Sequence, residues 1–360
     1  MNHYCTYFDG RFLIQGMALW RSLAAQDADA VLWVLALDDF TADVLREMGG
    51  TWLRVVPLAK LEADDPALGV AKANRSRAEY YFTLSPCWPR WLLAKNPEIS
   101  RITYLDADLA FFASPEIVFD AMESSRASVL ITSHRFPSWL AHYEQHGKFN
   151  VGILAFANDS TGRECLEDWR NRCLEWCYDR VEAGKYADQR YLDAWPDRFG
   201  SRLLVLEHPG VNMAPWNWMG RTYEVGQDGA VQVEGLPLVL FHFARLRPLA
   251  GTWWWQSGQL DYGVMPGRLR NAIYGSYWRA LSAARAELRA VRPGFDFPRS
   301  SPRGGRNFAR GLLLRAVFGS DWLRVGGTFF SGRLGLGRFS GRGLAWLRRT
   351  FRRGRFIFPP

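Results

Sequence analysis

Ile102-Thr-Tyr-Leu-Asp-Ala-Asp108 is a short apolar run that stops abruptly on two acids. Side chains alternate along an extended chain, so carboxylates two positions apart, Asp106 and Asp108, point to one side. At the C-terminal end of a buried parallel strand they stand where open α/β sheets bind their ligands. Two hard carboxylates with vacant coordination positions suit Mg2+ or Mn2+ bridging to a diphosphate. Such an ion would offset charge building on a departing diphosphate. The plain structural alternative is a pair of solvated acids at a strand end.

The flanking sequence supplies the parallel sheet. Tyr4–Phe8 reads as a strand, and a helix follows from about Phe12 to Ala25 with Phe12, Leu19 and Leu23 apolar. Val31–Leu37 is a second strand, and Leu53–Pro57 a third after the Gly49-Gly50 break. Strand alternating with helix argues for βαβ units and an α/β fold with a mostly parallel central sheet flanked by helices. Downstream, Ser114-Pro115-Glu116 starts a helix that runs to about Met122. Val129–Thr132 and Val151–Phe156 read as further strands. Thr161 with Glu164 reads as a capping box, opening a helix that carries Leu166, Trp169, Cys173 and Trp176 at helical spacing. Cys173 and Cys177 are one turn apart, but with no further ligand at metal spacing they read as core. Leu203–Leu206 and Leu238–Phe243 are late strands, and a helix over 265–290 ends at Arg292-Pro293-Gly294.

Charge divides the chain at that boundary. From Pro293 to Pro360 there are 14 Arg, no Lys and two acids, a net of +12; residues 1–292 carry 31 basic and 34 acidic residues, a net of −3. The expected domains are therefore 1–292 and an Arg/Gly/aromatic-rich tail, 293–360, partly helical or disordered. Each Arg near an anionic membrane contributes roughly 1 kcal/mol, with Phe329, Phe330, Phe339, Trp346, Phe351 and Phe356 as interfacial residues. A solvated tail without a partner is the alternative. Arg303-Gly-Gly305 hints at nucleic acid, which the near-neutral body disfavours as a partner. With 48% hydrophobic residues, the 360-residue chain is neither disordered throughout nor a small disulfide scaffold. Five cysteines suit a reducing compartment. The absence of a long apolar run or a signal-like start reads as a cytoplasmic protein, peripheral on the cytoplasmic face of the membrane.

Five spaced segments together resemble the GT-A-fold nucleotide-diphospho-sugar glycosyltransferases, most closely the retaining family 8-like group. Cys5-Thr-Tyr-Phe-Asp9 looks like the first strand and loop that cradle the nucleotide, and Ile102–Asp108 like the strand ending in the metal-binding Asp-x-Asp. Phe149-Asn-Val-Gly-Ile-Leu154 is similar to the Phe-Asn-x-Gly strand beside the donor sugar. Ala187-Asp-Gln-Arg190 looks like the Asp-Gln pair near the anomeric carbon, and Leu240-Phe-His-Phe243 like the late element whose histidine completes the metal site. Order and spacing match across roughly residues 3–250.

The resemblance implies a hexosyl transfer from a nucleotide-diphosphate sugar, with Mn2+ or Mg2+ as cofactor and a glycan or lipid-linked acceptor. It implies Asp106, Asp108 and His242 as metal ligands. Asp188 and Gln189 would be the catalytic pair at the sugar. Thr6, Tyr7, Asp9 and Ala107 would contact the donor, and Asn150 would hydrogen-bond the sugar or position Asp188, its plain alternative being a strand-edge or turn residue. The family's basic residue before the Asp-x-Asp falls near Asn74-Arg-Ser-Arg77, with Arg77 as the candidate, and the usual late Gly and Lys are replaced by Phe243-Ala-Arg-Leu-Arg-Pro248. Arg245 or Arg247 would supply that charge as a fork. In His208–Asn217, the residues Asn212, Trp216 and Asn217 either line the sugar site or brace a turn. Trp253-Trp-Trp255 reads as a hydrophobic anchor rather than an acceptor platform. A haloacid-dehalogenase-like phosphatase is a rival reading of Leu105-Asp-Ala-Asp108, but its motif belongs on the first strand and wants Thr or Val where Ala110 stands.

Overall fold

The computed structural model describes residues 1–50, 52–248, 254–256, 262–263, 265–295 and 322–324. The chain opens β1 (Asn2–Phe8), α1 (Leu13–Gln26), β2 (Ala30–Ala36), α2 (Asp39–Met48) and β3 (Leu53–Pro57). Helices α3 (Leu58–Asp64), α4 (Ala67–Asn74) and α5 (Arg77–Lys95) lead back to β4 (Arg101–Leu105) and a short β5 (Leu109–Phe111). Then come α6 (Glu116–Ser125), β6 (Val129–Ser133), β7 (Phe149–Ala157), α7 (Ser160–Glu175), α8 (Trp195–Phe199) and β8 (Leu203–Val205). Short strands β9 (Tyr223–Val225), β10 (Val231–Val233), β11 (Leu236–Pro237) and β12 (Leu240–His242) precede a long helix, α9 (Gly267–Val291).

Seven strands form one sheet in the order β3-β2-β1-β4-β7-β6-β8. Only β7 runs against the others, pairing antiparallel with β4 and β6. This is the α/β, Rossmann-like sheet flanked by helices that the strand–helix alternation predicts. The chain winds outward from β1 to β3 and returns on the other side of β1 as β4, so a crevice opens at the C-terminal ends of β1 and β4. One core packs Tyr4, Phe8, Leu32 and Val34 against α1 and α9; the other packs Cys5, Leu35, Ile102 and Tyr104 against α5 and α7. Cys173 and Cys177 are fully buried in the second core, as core packing requires.

Two local readings are corrected. The helix carrying Cys173 starts at Ser160, because Asp159 rather than Thr161 accepts the Gly162 N–H and caps it; it ends at Glu175, leaving Trp176 beyond its last turn. The late strand is confined to Leu240–His242. Within the tail, Trp322–Arg324 pairs antiparallel with Trp254–Gln256. The rest of the tail, with its six aromatic candidates, and Trp253 lie outside the described residues. Helix α5 has no counterpart among the elements expected from sequence, and it contains Pro86 and Pro89, which locally disfavour a helix. A helix nevertheless runs through, started by the Ser76–Glu79 capping box and held by a buried face including Leu84, Trp88 and Leu92. Among the described residues no helix is long and apolar enough to cross a membrane.

Candidate active site

Asp106 and Asp108 lie just beyond β4, in the turn to β5, rather than on the strand itself. Strand alternation therefore does not orient them. The turn does, clamped on both sides: the Asp106 N–H donates to the Gly152 carbonyl at 2.9 Å, and the Phe243 N–H to the Asp108 carbonyl at 2.8 Å. β5 pairs antiparallel with β12, placing His242 opposite Leu109. The imidazole thereby arrives from far downstream, with Nε2 3.1 Å from Asp108 Oδ1 and 3.7 Å from Asp106 Oδ2. One ligand atom from each of the three residues lies within 4.8 Å of the others. Adjacent ligands of an octahedral ion at about 2.1 Å are roughly 3 Å apart, so the spacing fits.

The polarity of His242 is fixed from behind. The Gly152 backbone N–H can only donate, and it donates to Asn150 Oδ1 at 3.0 Å, which settles which end of that amide is oxygen. Asn150 Oδ1 also faces His242 Nδ1 at 3.3 Å, so Nδ1 carries the proton. The Nε2 lone pair then faces the two carboxylates, as a cation ligand requires. Burial works against a charged imidazole, yet Asp108 and then Asp106 outweigh it and hold His242 above its usual pKa. Burial, together with Asp108, raises Asp106, against the pull of His242. Three electron-pair donors converging without a cation thus repel or take up protons; a divalent ion relieves both. Gly152 is required here for space, since a Cβ would stand 2.5 Å from Asn150 Oδ1 and 2.7 Å from His242 Nδ1.

A cavity of about 340 Å3 opens beside this cluster. Tyr7, Asp106, Asn150, Asp188, Gln189, Trp216, His242 and Arg245 line it, bringing eight sequence candidates to one space. Gln189 is held at both ends of its amide: Nε2 donates to the His146 carbonyl at 3.0 Å, and Oε1 accepts from Asn150 Nδ2 at 3.3 Å. Asp188 is 5% exposed, and burial pushes its carboxyl up to about 7 against a hydrogen bond from Ser85, with Asp106 adding to the rise. Trp216 presents its ring to the cavity and stands edge-on to His242 at 5.3 Å. Arg245 adopts a positive φ of 64° and lies 5.1 Å from the Tyr262 ring.

Other candidates are placed elsewhere. Asn212 and Asn217 are buried behind Trp216, Asn212 donating to Thr132 and Asn150, and Asn217 to the His134 and Asn212 carbonyls. Thr6 is fully buried and does not line the cavity, while Asp9 is tied to Arg11 and Tyr81. Arg77 is exposed at the start of α5, and Ala107 packs into the first core. Sequence reasoning missed His134, which Asn150 Nδ2 meets at Nε2 and Lys148 O at Nδ1; burial drives its pKa down to about 3, so it is neutral. It also missed Phe136, Tyr143, His146, Tyr186 and Tyr262 on the cavity wall; Tyr143 and His146 sit on the short 3-10 helix Ser138–His146, and Phe136 and Tyr186 lie outside helix and strand, so no apolar periodicity marks them. A larger cleft of about 540 Å3 lies between α1, α2 and the end of α9, lined by apolar residues such as Trp20 and Leu53 together with Arg21 and Glu287, which pair with each other.

A Rossmann-like sheet with a carboxylate–carboxylate–imidazole cluster at its switch point defines an α/β protein equipped to hold a divalent cation beside a polar cavity. The chain is 34% identical over 250 residues to the uncharacterized protein YfnF of Bacillus subtilis (strain 168), spanning 68% of this chain and 81% of that protein. It is 32% identical over 246 residues to the uncharacterized protein YfnD of the same organism, spanning 67% and 77%. The chain belongs to the family of these two proteins. No family model matches it. Among solved structures, mouse Xyloside xylosyltransferase 1 in its apo form is similar over 69% of this chain and 99% of that one, with 16% identity and a TM-score of 0.44.

Proposed function

We propose that the protein is a metal-dependent GT-A-type glycosyltransferase. It moves a hexosyl group from a nucleotide-diphosphate sugar, a UDP-sugar, to a glycan or lipid-linked acceptor with retention, in polysaccharide or glycolipid assembly. The observation that carries this reading is the convergence of Asp106, Asp108 and His242, with the Nε2 lone pair of His242 facing both acids. The five-segment resemblance in the sequence supports it independently.

Asp106, Asp108 and His242 would hold Mn2+ or Mg2+, which when bound would neutralise charge on the departing diphosphate. Ionised Asp188 only accepts hydrogen bonds and so suits sugar hydroxyls. Gln189, its amide fixed by His146 and Asn150, lies beside it. A glutamine amide is a poor nucleophile, so the simpler course is attack by the acceptor hydroxyl on the face the diphosphate leaves. The bond from the anomeric carbon to phosphate oxygen breaks with its electrons going to the diphosphate. The acceptor oxygen bonds to that carbon, and its proton passes to the departing phosphate oxygen. Gln189 stabilises positive charge on the sugar, Trp216 packs on its C–H face, and Arg245 offers charge to the phosphates. The basic tail would hold the enzyme at an anionic membrane where a lipid-linked acceptor resides.

A screen of nucleotide sugars for Mn2+- or Mg2+-dependent hydrolysis tests this, with Asp108→Ala as control. Turnover that survives both chelator and that substitution would contradict the role given to the acids.

A further inference from the structure

His134 follows β6 directly and sits on the cavity wall, yet both of its ring nitrogens are taken by the protein. Nδ1 lies 3.3 Å from the Lys148 carbonyl, and Nε2 lies 3.2 Å from Asn150 Nδ2. Asn150 stands on the neighbouring strand β7, paired with Thr132 of β6. At the oxygen of its amide are the Gly152 N–H at 3.0 Å, Asn212 Nδ2 at 3.0 Å and His242 Nδ1 at 3.3 Å. At the nitrogen are His134 Nε2 and, at 3.3 Å, Gln189 Oε1. His134 and Asn150 are each 6% exposed and Asn212 is 0% exposed, so water is a poor substitute for these partners.

Groups of fixed role set every proton in this network. The Gly152 N–H can only donate, which makes the atom it meets Asn150 Oδ1. Asn150 Nδ2 then gives one proton to His134 Nε2 and the other to Gln189 Oε1. The Lys148 carbonyl can only accept, so the ring proton of His134 is on Nδ1 and Nε2 offers its lone pair. The His146 carbonyl likewise takes its proton from Gln189 Nε2, which leaves Oε1 for Asn150. A donor meets an acceptor at each of these contacts.

We propose that His134 is a positioning residue that acts through Asn150. Its Nε2 lone pair holds the Asn150 amide in the plane that presents Oδ1 to His242 and Nδ2 to Gln189. The aim of a cation ligand and the orientation of the amide at the sugar are thereby set together. This rests on the reading of His242 as a cation ligand and of Gln189 as a sugar contact. Packing of the His134 ring, stacked on Phe136 at 4.6 Å, is the competing account.

His134→Phe keeps a ring against Phe136 and removes the lone pair, which frees the Asn150 amide to turn away from His242. His134→Gln can offer an amide oxygen in place of Nε2. Calorimetry of Mn2+ binding to the full chain, without any sugar, separates the two accounts. Binding should weaken roughly 5- to 10-fold in His134→Phe and stay within about 2-fold of wild type in His134→Gln. His134→Asn, too short to reach Asn150, should match His134→Phe and serves in its place where phenylalanine is not tolerated. In an Asn150→Ala background His134→Phe should add nothing, because the amide it acts on is gone. Packing alone would instead give equal losses in His134→Phe and His134→Gln that multiply with Asn150→Ala. Either of those results, or unchanged affinity in His134→Phe, would overturn the proposal. At saturating Mn2+, kcat on a nucleotide sugar should stay lowered in His134→Phe with KM little changed; full recovery would overturn the link to Gln189. A wild type that binds Mn2+ but turns over no nucleotide sugar would defeat the functional reading, leaving calorimetry to decide what His134 does for His242. A wild type without Mn2+ affinity would overturn both.

Discussion

Asp188→Asn should make the protein more stable at alkaline pH while stopping turnover. Burial, above all, pushes the Asp188 carboxyl up to about 7 from the ordinary 3.8. In the unfolded chain the proton leaves near pH 4, whereas the folded chain keeps it to near pH 7. Folding stability therefore falls as pH rises between those values and is flat above, with a total loss of about 4 kcal/mol as an order of magnitude. The amide cannot ionise, so the variant lacks that slope. Urea unfolding followed by tryptophan fluorescence at pH 4.5, 6 and 8 measures it. The variant should gain little over wild type at pH 4.5 and at least 2 kcal/mol at pH 8, by the same linkage. Equal differences at the three pH values would refute the desolvation argument, because a change in packing alone does not depend on pH.

Mn2+ should raise the midpoint of thermal unfolding of wild type, by mass action on the folded state, and His242→Ala or Asp108→Ala should abolish that rise in a thermal-shift titration. Asn150→Ala should keep the fold but weaken Mn2+ affinity roughly 10- to 100-fold by calorimetry, as loss of an orienting partner does. Gly152→Ala should weaken it similarly, since its Cβ would displace Asn150 Oδ1 or the His242 ring; unchanged affinity would mean that the pair is not needed to aim Nε2. Asp159→Ala removes the cap of α7 and should cost about 1 kcal/mol in urea unfolding at pH 7, with metal affinity unaltered.

The sheet's beginning was legible because β1, α1, β2 and β3 are local: apolar runs, helical spacing and glycine breaks mark each without reference to the others. Asp106 and Asp108 were legible as a pair, though their shared direction comes from a turn clamped by Gly152 and Phe243 and not from strand alternation. Helix α5 was hidden because two prolines contradict it locally, and only burial against α7 outweighs them.

The sequence by itself determined the alternating architecture, the acids at the end of β4 and the separation of a neutral body from a basic tail. Tertiary structure decided which histidine reaches those acids, through pairing of β5 with β12, and which way its lone pair points, through Gly152 and Asn150. It also decided that Asn212 and Asn217 are buried outside the cavity lining while Tyr7 and Asp188 line it. The physical reason is that hydrogen-bond partners brought together by folding are chosen by distance in space, and residue spacing along the chain records only the contacts that are local to it.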